Sequence, residues 1–284
     1  MSSTLVSVQQ LQQHLADPDW CVVDCRHALS DFGAGRREYE AGHIPGAIFA
    51  NVEEDLSGAK TGSNGRHPLP DRDALVQTFR NWGIGNRTQI VAYDANGGSF
   101  AARLWWLARW LGHARVALLD GGWQAWQAAG GASDTKIPAR APANFEAGES
   151  LVHVVDAAQV QSMRGDPNLL LVDVRAPERY RGEQETLDPV AGHVPGAVNR
   201  FWQTNLTSPN GTFKSTRELR AELDALREGH APTQLVTYCG SGVTACHMLI
   251  AMEIAGLPGA ALYAGSWSEW VADRTRPVAT GSAP

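Results

Sequence analysis

A cysteine in a glycine-rich turn is the strongest candidate for chemistry in this sequence. Cys239 follows the short apolar run Gln234–Tyr238 and opens the stretch Cys-Gly-Ser-Gly-Val-Thr. If the run is a strand and a helix starts after the turn, the sulfur lies among backbone N–H groups at the positive end of a helix. Such groups favour the nucleophilic thiolate, and Gly240 and Gly242 permit the tight turn. A small buried residue after a strand is the alternative, but it does not explain the glycine-rich setting.

The first half of the chain contains the same segments in the same order, with an aspartate in place of the cysteine. The matching pairs are Val22–Arg26 with Leu171–Arg175, Gly42–Ala47 with Gly192–Ala197, Ile90–Asp94 with Leu235–Cys239, and Gly121–Trp123 with Gly265–Trp267. Four ordered matches at nearly constant spacing indicate a duplicated domain. We predict an inactive domain over residues 1–135, a linker over residues 136–150 and a catalytic domain over residues 151–284. Asp94 marks the copy that lacks the nucleophile.

Short apolar runs alternate with helical stretches in both halves. The predicted strands are Cys21–Asp24, Ile90–Tyr93, Val116–Leu119, Leu169–Val174, Gln234–Tyr238 and Ala260–Tyr263. The predicted helices are Asp71–Trp82, Ser99–Leu111, Thr216–Arg227 and Gly242–Ala255. Because this alternation is typical of βαβ units, we expect an α/β fold in which each domain is a parallel sheet flanked by helices. Ligands of such sheets bind beyond the carboxyl ends of the strands, where Asp94 and Cys239 fall.

Composition and charge exclude several classes of protein. Of the 284 residues 43% are hydrophobic, and 24 basic against 30 acidic side chains give a formal net charge of −6. Such a chain has no general attraction to nucleic acid or to anionic membranes, so neither is expected as a partner. The N-terminal sequence does not read as a signal peptide, and no apolar run is long enough to cross a bilayer. We therefore expect a cytoplasmic protein.

Of the other three cysteines, Cys21 and Cys25 are interpreted as core residues, and Cys246 keeps a regulatory role under oxidation open. Cys21 and Cys25 lie near His27, but no second pair of ligands completes a zinc-like site, so core packing is favoured. Cys246 follows Cys239 by about two helical turns, and a disulfide between them would be strained. We expect neither a metal nor an organic cofactor.

Taken together, these features resemble the rhodanese family, in the form with two domains of which the second carries the cysteine. The resemblance rests on the repeated Asp-x-Arg strands, the repeated Gly-His-(Ile/Val)-Pro-Gly-Ala segments, the cysteine loop and the ending Gly-Ser-Trp-Ser-Glu-Trp. It implies a sulfurtransferase, in which the thiolate takes a sulfane sulfur from a small-molecule donor and becomes a persulfide. The outer sulfur then passes to a thiol such as thioredoxin or glutathione, or to cyanide.

The loop itself resembles that of family members that act on 3-mercaptopyruvate. Members specific for thiosulfate typically place an arginine and a lysine after the cysteine, where Gly240 and Ser241 stand here. The residues expected to surround the donor are Gly240, Gly242, Val243 and Thr244. Thiosulfate remains the alternative donor.

A proton relay is also implied by the resemblance. Ser241, His67 and Glu53 match a serine, a histidine and an acidic residue that move a proton at the substrate. A solvated loop histidine is the alternative reading of His67. Glu54 and Asp55 adjoin Glu53, and the sequence leaves the choice among the three acids open.

Binding of the substrate carboxylate is assigned to arginine on the same basis. Arg179 matches the first carboxylate-binding arginine of the family, with Arg181 as a helper. An arginine fork suits a planar carboxylate. Leu187 occupies the approximate place of the family's second arginine.

Two functions of other classes stay open. Rhodanese-like folds include phosphatases with a Cys-x5-Arg loop, but Ala245 stands where that arginine would bind phosphate. A non-catalytic module that binds sulfide is the other, and the intact loop around Cys239 argues against it.

Overall fold

The computed structural model describes residues 4–208 and 211–284. Contacts divide the chain into two units. The N-terminal unit comprises the residues up to Gly58, Pro70–Leu151 and Leu206–Phe213, and the C-terminal unit comprises Ala59–Leu69, Val152–Asn205 and Lys214–Pro284. Residues 1–3 of the predicted first domain lie outside the described residues, and the predicted domain limits remain a prediction.

The N-terminal unit is built on five parallel strands. They are β1 (Leu5–Val6), β2 (Trp20–Asp24), β3 (Ile48–Phe49), β4 (Gln89–Tyr93) and β5 (Val116–Leu119), in the order β1-β5-β4-β2-β3. Its helices are α1 (Val8–His14), α2 (Ala34–Ala41), α3 (Arg72–Asn81), α4 (Ala101–Trp110) and α5 (Gly122–Ala128).

The C-terminal unit repeats this topology. Its strands are β6 (His153–Val155), β7 (Leu170–Asp173), β8 (Ala197–Asn199), β9 (Leu235–Tyr238) and β10 (Ala261–Tyr263), all parallel in the order β6-β10-β9-β7-β8. The helices are α6 (Ala157–Met163), α7 (Pro177–Tyr180), α8 (Thr216–Arg227), α9 (Ala245–Ile254) and α10 (Ser266–Trp270), with 3-10 turns at Trp202–Asn205 and Pro232–Gln234. The predicted α/β fold, two parallel sheets flanked by helices, is confirmed.

The two long helices of the C-terminal unit are buried to different extents. Helix α8 is amphipathic, buries Leu219 and Leu223, and starts at a capping box formed by Ser215 and Glu218. Helix α9 is instead buried along most of its length, from Ala245 to Met252. Its amino end therefore lies inside packed structure, directly after the cysteine loop.

The centre of the C-terminal sheet positions the candidate site. Strands β7 and β9 pair in register from Leu170 with Leu235 to Asp173 with Tyr238, so their carboxyl ends lie side by side. The core beneath includes the fully buried side chain of Trp267. Among the described helices, none combines the length and the apolar character that crossing a membrane requires.

Candidate active site

Cys239 lies at the carboxyl end of β9 in a loop that only glycine can build. Its side chain is buried, and the backbone N–H of Gly242 donates a hydrogen bond to Sγ at 3.1 Å. Gly242 has φ +77°, and a Cβ there would overlap the carbonyl oxygen of Ala264. The loop thus points a backbone N–H donor at the sulfur.

Ser266 binds the backbone of Cys239, and the sequence analysis did not single it out. Its Oγ accepts a hydrogen bond from the Cys239 N–H at 3.1 Å and donates one to the Tyr263 carbonyl at 2.9 Å. Ser266 has φ +55°, a strained conformation for a residue with a side chain. The signal available was the repeat itself, because the first copy has Gly122 where Ser266 stands. Ser266 fixes the backbone of the nucleophile.

Ser241 and His67 form a buried pair beside the nucleophile. His67 Nδ1 lies 2.7 Å from Ser241 Oγ, and both residues are buried. His67 comes from the segment Ala59–Leu69, which belongs to the C-terminal unit although it lies in the first half of the sequence. That segment is anchored on α10, because the Arg66 N–H donates to Ser268 Oγ at 3.0 Å.

Two guanidinium groups flank the residue after the cysteine. A Cβ on Gly240 would lie 2.8 Å from Nη2 of Arg66 and 3.3 Å from Nη1 of Arg179. The structure therefore brings Arg179 to the loop and adds Arg66, which sequence reasoning missed although it adjoins His67. The Leu187 carbonyl oxygen lies 3.5 Å from Arg66 Nη1, so a second arginine is present near the place where the sequence has leucine.

The arginines belong to a row of alternating charges in the C-terminal unit, which we call the charge chain. It runs Asp173, Arg175, Glu185, Arg179, Asp188, Arg66. Arg179 Nη2 lies 2.8 Å from Glu185 Oε1 and 3.2 Å from Asp188 Oδ2. Burial opposes ionisation of Glu185, yet N–H donors from Leu187 and Arg179 hold its pKa below the usual value. The row fixes both loop arginines in place.

The remaining predicted residues are distributed as follows. Val243 is buried and Thr244 half-buried, both in the loop before α9. Arg181 donates to Glu183 at 2.7 Å on an exposed stretch. Glu53 belongs to the N-terminal unit, where its Oε1 lies 3.9 Å from His27 Nε2. Of the predicted relay, the structure brings Ser241 and His67 together within one unit.

The other three cysteines are free thiols with buried side chains. Burial raises the pKa of Cys21 to about 11 and that of Cys25 well above its ordinary value. Thiols kept protonated in this way are poor nucleophiles and poor metal ligands. Cys246 Sγ donates to the Gly242 carbonyl at 3.3 Å, so this thiol supports the loop from the helix side.

Comparison with known proteins agrees with this geometry. The rhodanese-like domain matches residues 7–129 and 156–273. The chain is 48% identical over 282 residues to a probable 3-mercaptopyruvate sulfurtransferase of Pseudomonas aeruginosa, covering 99% of each chain. A putative thiosulfate sulfurtransferase of Mycobacterium tuberculosis is 38% identical over 92% of this chain and 91% of the relative.

A solved structure shows the same likeness. The 3-mercaptopyruvate sulfurtransferase from Leishmania major superposes with a TM-score of 0.84 at 28% identity, over 94% of this chain and 74% of that one. The family matches twice along a chain whose second copy holds a cysteine in a glycine-rich loop. The protein therefore belongs to the rhodanese family and is a sulfurtransferase enzyme.

Proposed function

We propose that the protein transfers sulfur from 3-mercaptopyruvate through a persulfide on Cys239. The observation that carries this proposal is the pair of guanidinium groups of Arg66 and Arg179 beside Gly240. A donor whose sulfur lies at Cys239 can place a carboxylate against these two groups. Paired guanidinium forks match the planar geometry and the charge of a carboxylate.

The first step moves one sulfur and one proton. The Cys239 thiolate attacks the donor sulfur, a sulfur–sulfur bond forms, and the carbon–sulfur bond breaks with its electron pair going to carbon. The proton of the donor thiol ends on that carbon, which gives pyruvate and leaves the persulfide as an anion. The N–H of Gly242 and the other backbone groups of the loop, from Gly240 to Thr244, stabilise this charge.

Ser241 and His67 supply the path for that proton. Their 2.7 Å separation permits proton transfer between Oγ and Nδ1, and Ser241 stands two residues after the reacting cysteine in the same loop. Glu53 as the third member of the relay, and Arg181 as a helper in donor binding, remain predictions from the sequence.

The second step returns the cysteine to its thiolate. An acceptor thiolate, or cyanide, attacks the outer sulfur, and the sulfur–sulfur bond breaks with its electrons going to Cys239. Thioredoxin, glutathione and cyanide are the proposed acceptors, and the cytoplasm is the proposed location. The small-molecule donor binds first because the cysteine must be sulfurated before an acceptor can react.

Thiosulfate is the second candidate donor, because paired guanidinium groups also suit sulfonate oxygens. Intact-protein mass spectrometry after treatment with each donor tests the proposal. We expect the mass of one added sulfur, lost in Cys239→Ser and retained in the matched control Cys246→Ser. The ratio of kcat/KM for the two donors, measured with one common acceptor, then decides between them. Absence of an adduct with either donor would overturn the proposed function.

A further inference from the structure

We infer that Asp188 makes the donor site selective for donors with one negative charge over donors with two. This inference rests on the proposed function, because it concerns how the site around Cys239 chooses its donor. Asp188 acts through the two loop arginines and is a positioning residue with an electrostatic effect.

The carboxylate of Asp188 joins the two arginines that flank the loop. One oxygen, Oδ1, pairs with Nη1 of Arg66, and the other, Oδ2, lies 3.2 Å from Nη2 of Arg179. The Asp188 side chain is 3% exposed, against 27% for Arg66 and 21% for Arg179. The arginines therefore face the solvent side of the loop while the carboxylate lies behind and between them.

Asp188 is held rigidly in this position. Its backbone N–H donates to Oε1 of Glu185 at 3.1 Å, and the same Glu185 carboxylate accepts from Arg179. Glu185 also lies 3.4 Å from Nη1 of Arg175. Neither carboxylate can turn away from the arginines without breaking several charged hydrogen bonds, so the negative charge is a fixed part of the donor site.

The charge balance follows from these contacts. The charge chain contains three guanidinium groups and three carboxylates, so Asp188 cancels part of the positive charge that Arg66 and Arg179 offer to a donor. The repulsion between Asp188 and a donor grows with the negative charge of the donor. 3-Mercaptopyruvate carries one carboxylate, whereas thiosulfate is a dianion. The second charge of a dianion meets Asp188 in a place where water screens poorly, so it weakens binding instead of strengthening it.

The first test removes the negative charge of Asp188. In Asp188→Asn we expect the ratio of kcat/KM for thiosulfate to that for 3-mercaptopyruvate to rise about tenfold, mainly through a lower KM for thiosulfate. Asp188→Glu keeps the charge and is expected to keep the wild-type preference. Asp224→Asn is the matched control, because it removes an equal charge from an exposed ion-pair cluster on α8 and should leave the ratio unchanged.

A binding measurement on the wild-type protein covers the case in which Asp188→Asn does not fold. Propionate and malonate differ mainly by one negative charge, and we expect propionate to compete with 3-mercaptopyruvate more strongly. Stronger competition by malonate, or an unchanged donor ratio in folded Asp188→Asn, would overturn the role of Asp188. These outcomes leave the proposed function intact, which fails only if the wild type forms no adduct with either donor.

Discussion

The two repeats fold the same strand-to-helix loop around different side chains. In the N-terminal unit Asp94 follows β4, and its carboxylate accepts four backbone hydrogen bonds of 2.7–2.9 Å from N–H groups of its own loop. The donors are Asn96 and Gly98 to Oδ1, and Phe100 and Ala101 to Oδ2. In the C-terminal unit Cys239 follows β9, and its Sγ accepts from Gly242 at 3.1 Å.

In both repeats the loop backbone turns N–H donors toward the side chain that follows the central strand. In the first repeat the acceptor is the covalently attached carboxylate of Asp94, which satisfies these donors permanently. Burial nevertheless raises the pKa of Asp94, although the backbone donors act in the opposite direction. In the second repeat the same kind of loop holds a sulfur, to which the Gly242 N–H donates instead.

The charged residues around the two loops also differ. Arg26 and Arg175 are equivalent, since each bonds the aspartate two residues before it and a glycine carbonyl. Arg175 additionally pairs with Glu185, which starts the extension toward the arginines at Gly240. The shared Asp-x-Arg pair is therefore scaffold, and the reactive copy adds the charge chain to it.

Replacing Cys239 with aspartate, the residue at the equivalent position of the first repeat, has the largest expected effect on activity. In Cys239→Asp we expect sulfur transfer to fall at least about a thousandfold, because the nucleophile is gone. Steady-state assays with both donors measure this loss. The variant should still fold, because the equivalent loop of the first repeat holds Asp94 with four backbone hydrogen bonds. Transfer at the wild-type rate in Cys239→Asp would contradict the role of Cys239 as the nucleophile.

Removing the carboxylate from the first loop is expected to lower the stability of the N-terminal unit. In Asp94→Ala four N–H groups lose their acceptor, two of them buried and two half-buried, and we expect the free energy of unfolding to fall by about 2–3 kcal/mol. Urea denaturation measures this change, and protein that remains folded should still transfer sulfur. Asp17→Ala, on an exposed turn of the same unit, is the matched control and should change stability little. A stability loss no larger than the control's would show that the first loop does not depend on its carboxylate.

Local sequence predicted the fold and singled out Cys239 as the candidate nucleophile, and the family resemblance added His67, but Arg66 and Ser266 were missed. The repeat and the alternating runs predicted both sheets, since these signals are local. The predicted helix Gly242–Ala255 instead begins at Ala245, because the positive φ of Gly242 continues the loop. Arg66 lies far from Gly240 in sequence, so only tertiary structure brings its guanidinium to the loop. Ser266 was missed because serine does not signal a positive φ.

The Ser241–His67 pair is a feature of the second repeat alone, since Asn96 stands in the first repeat at the position equivalent to Ser241. Variants of this pair test what it contributes. In Ser241→Ala we expect kcat with 3-mercaptopyruvate to fall about tenfold, because pyruvate formation needs a proton at carbon. Transfer from thiosulfate leaves sulfite and needs no such proton, so its kcat should change little. His67→Gln should give the same pattern, and the double variant should be no slower than either single one. Equal losses with both donors would point to a structural role for the pair.

The smallest expected effect concerns how the stability of the two repeats depends on pH. The pKa of Glu185 is lowered, so its contribution to stability is present above its ordinary value and is lost as pH falls through the lowered one. The pKa of Asp94 is raised, so its contribution is present below its ordinary value and is lost as pH rises through the raised one. The destabilisation caused by Glu185→Gln should therefore be nearly constant above the ordinary pKa of 4.5 and shrink as pH falls below it. The change should be less than about 1 kcal/mol, because water partly screens the pair with Arg179. Urea midpoints at pH values on both sides of that ordinary pKa measure the slope, with Glu183→Gln as an exposed control. A slope of the opposite sign would mean that burial, and not the N–H donors, controls the Glu185 carboxylate, as it does for Asp94.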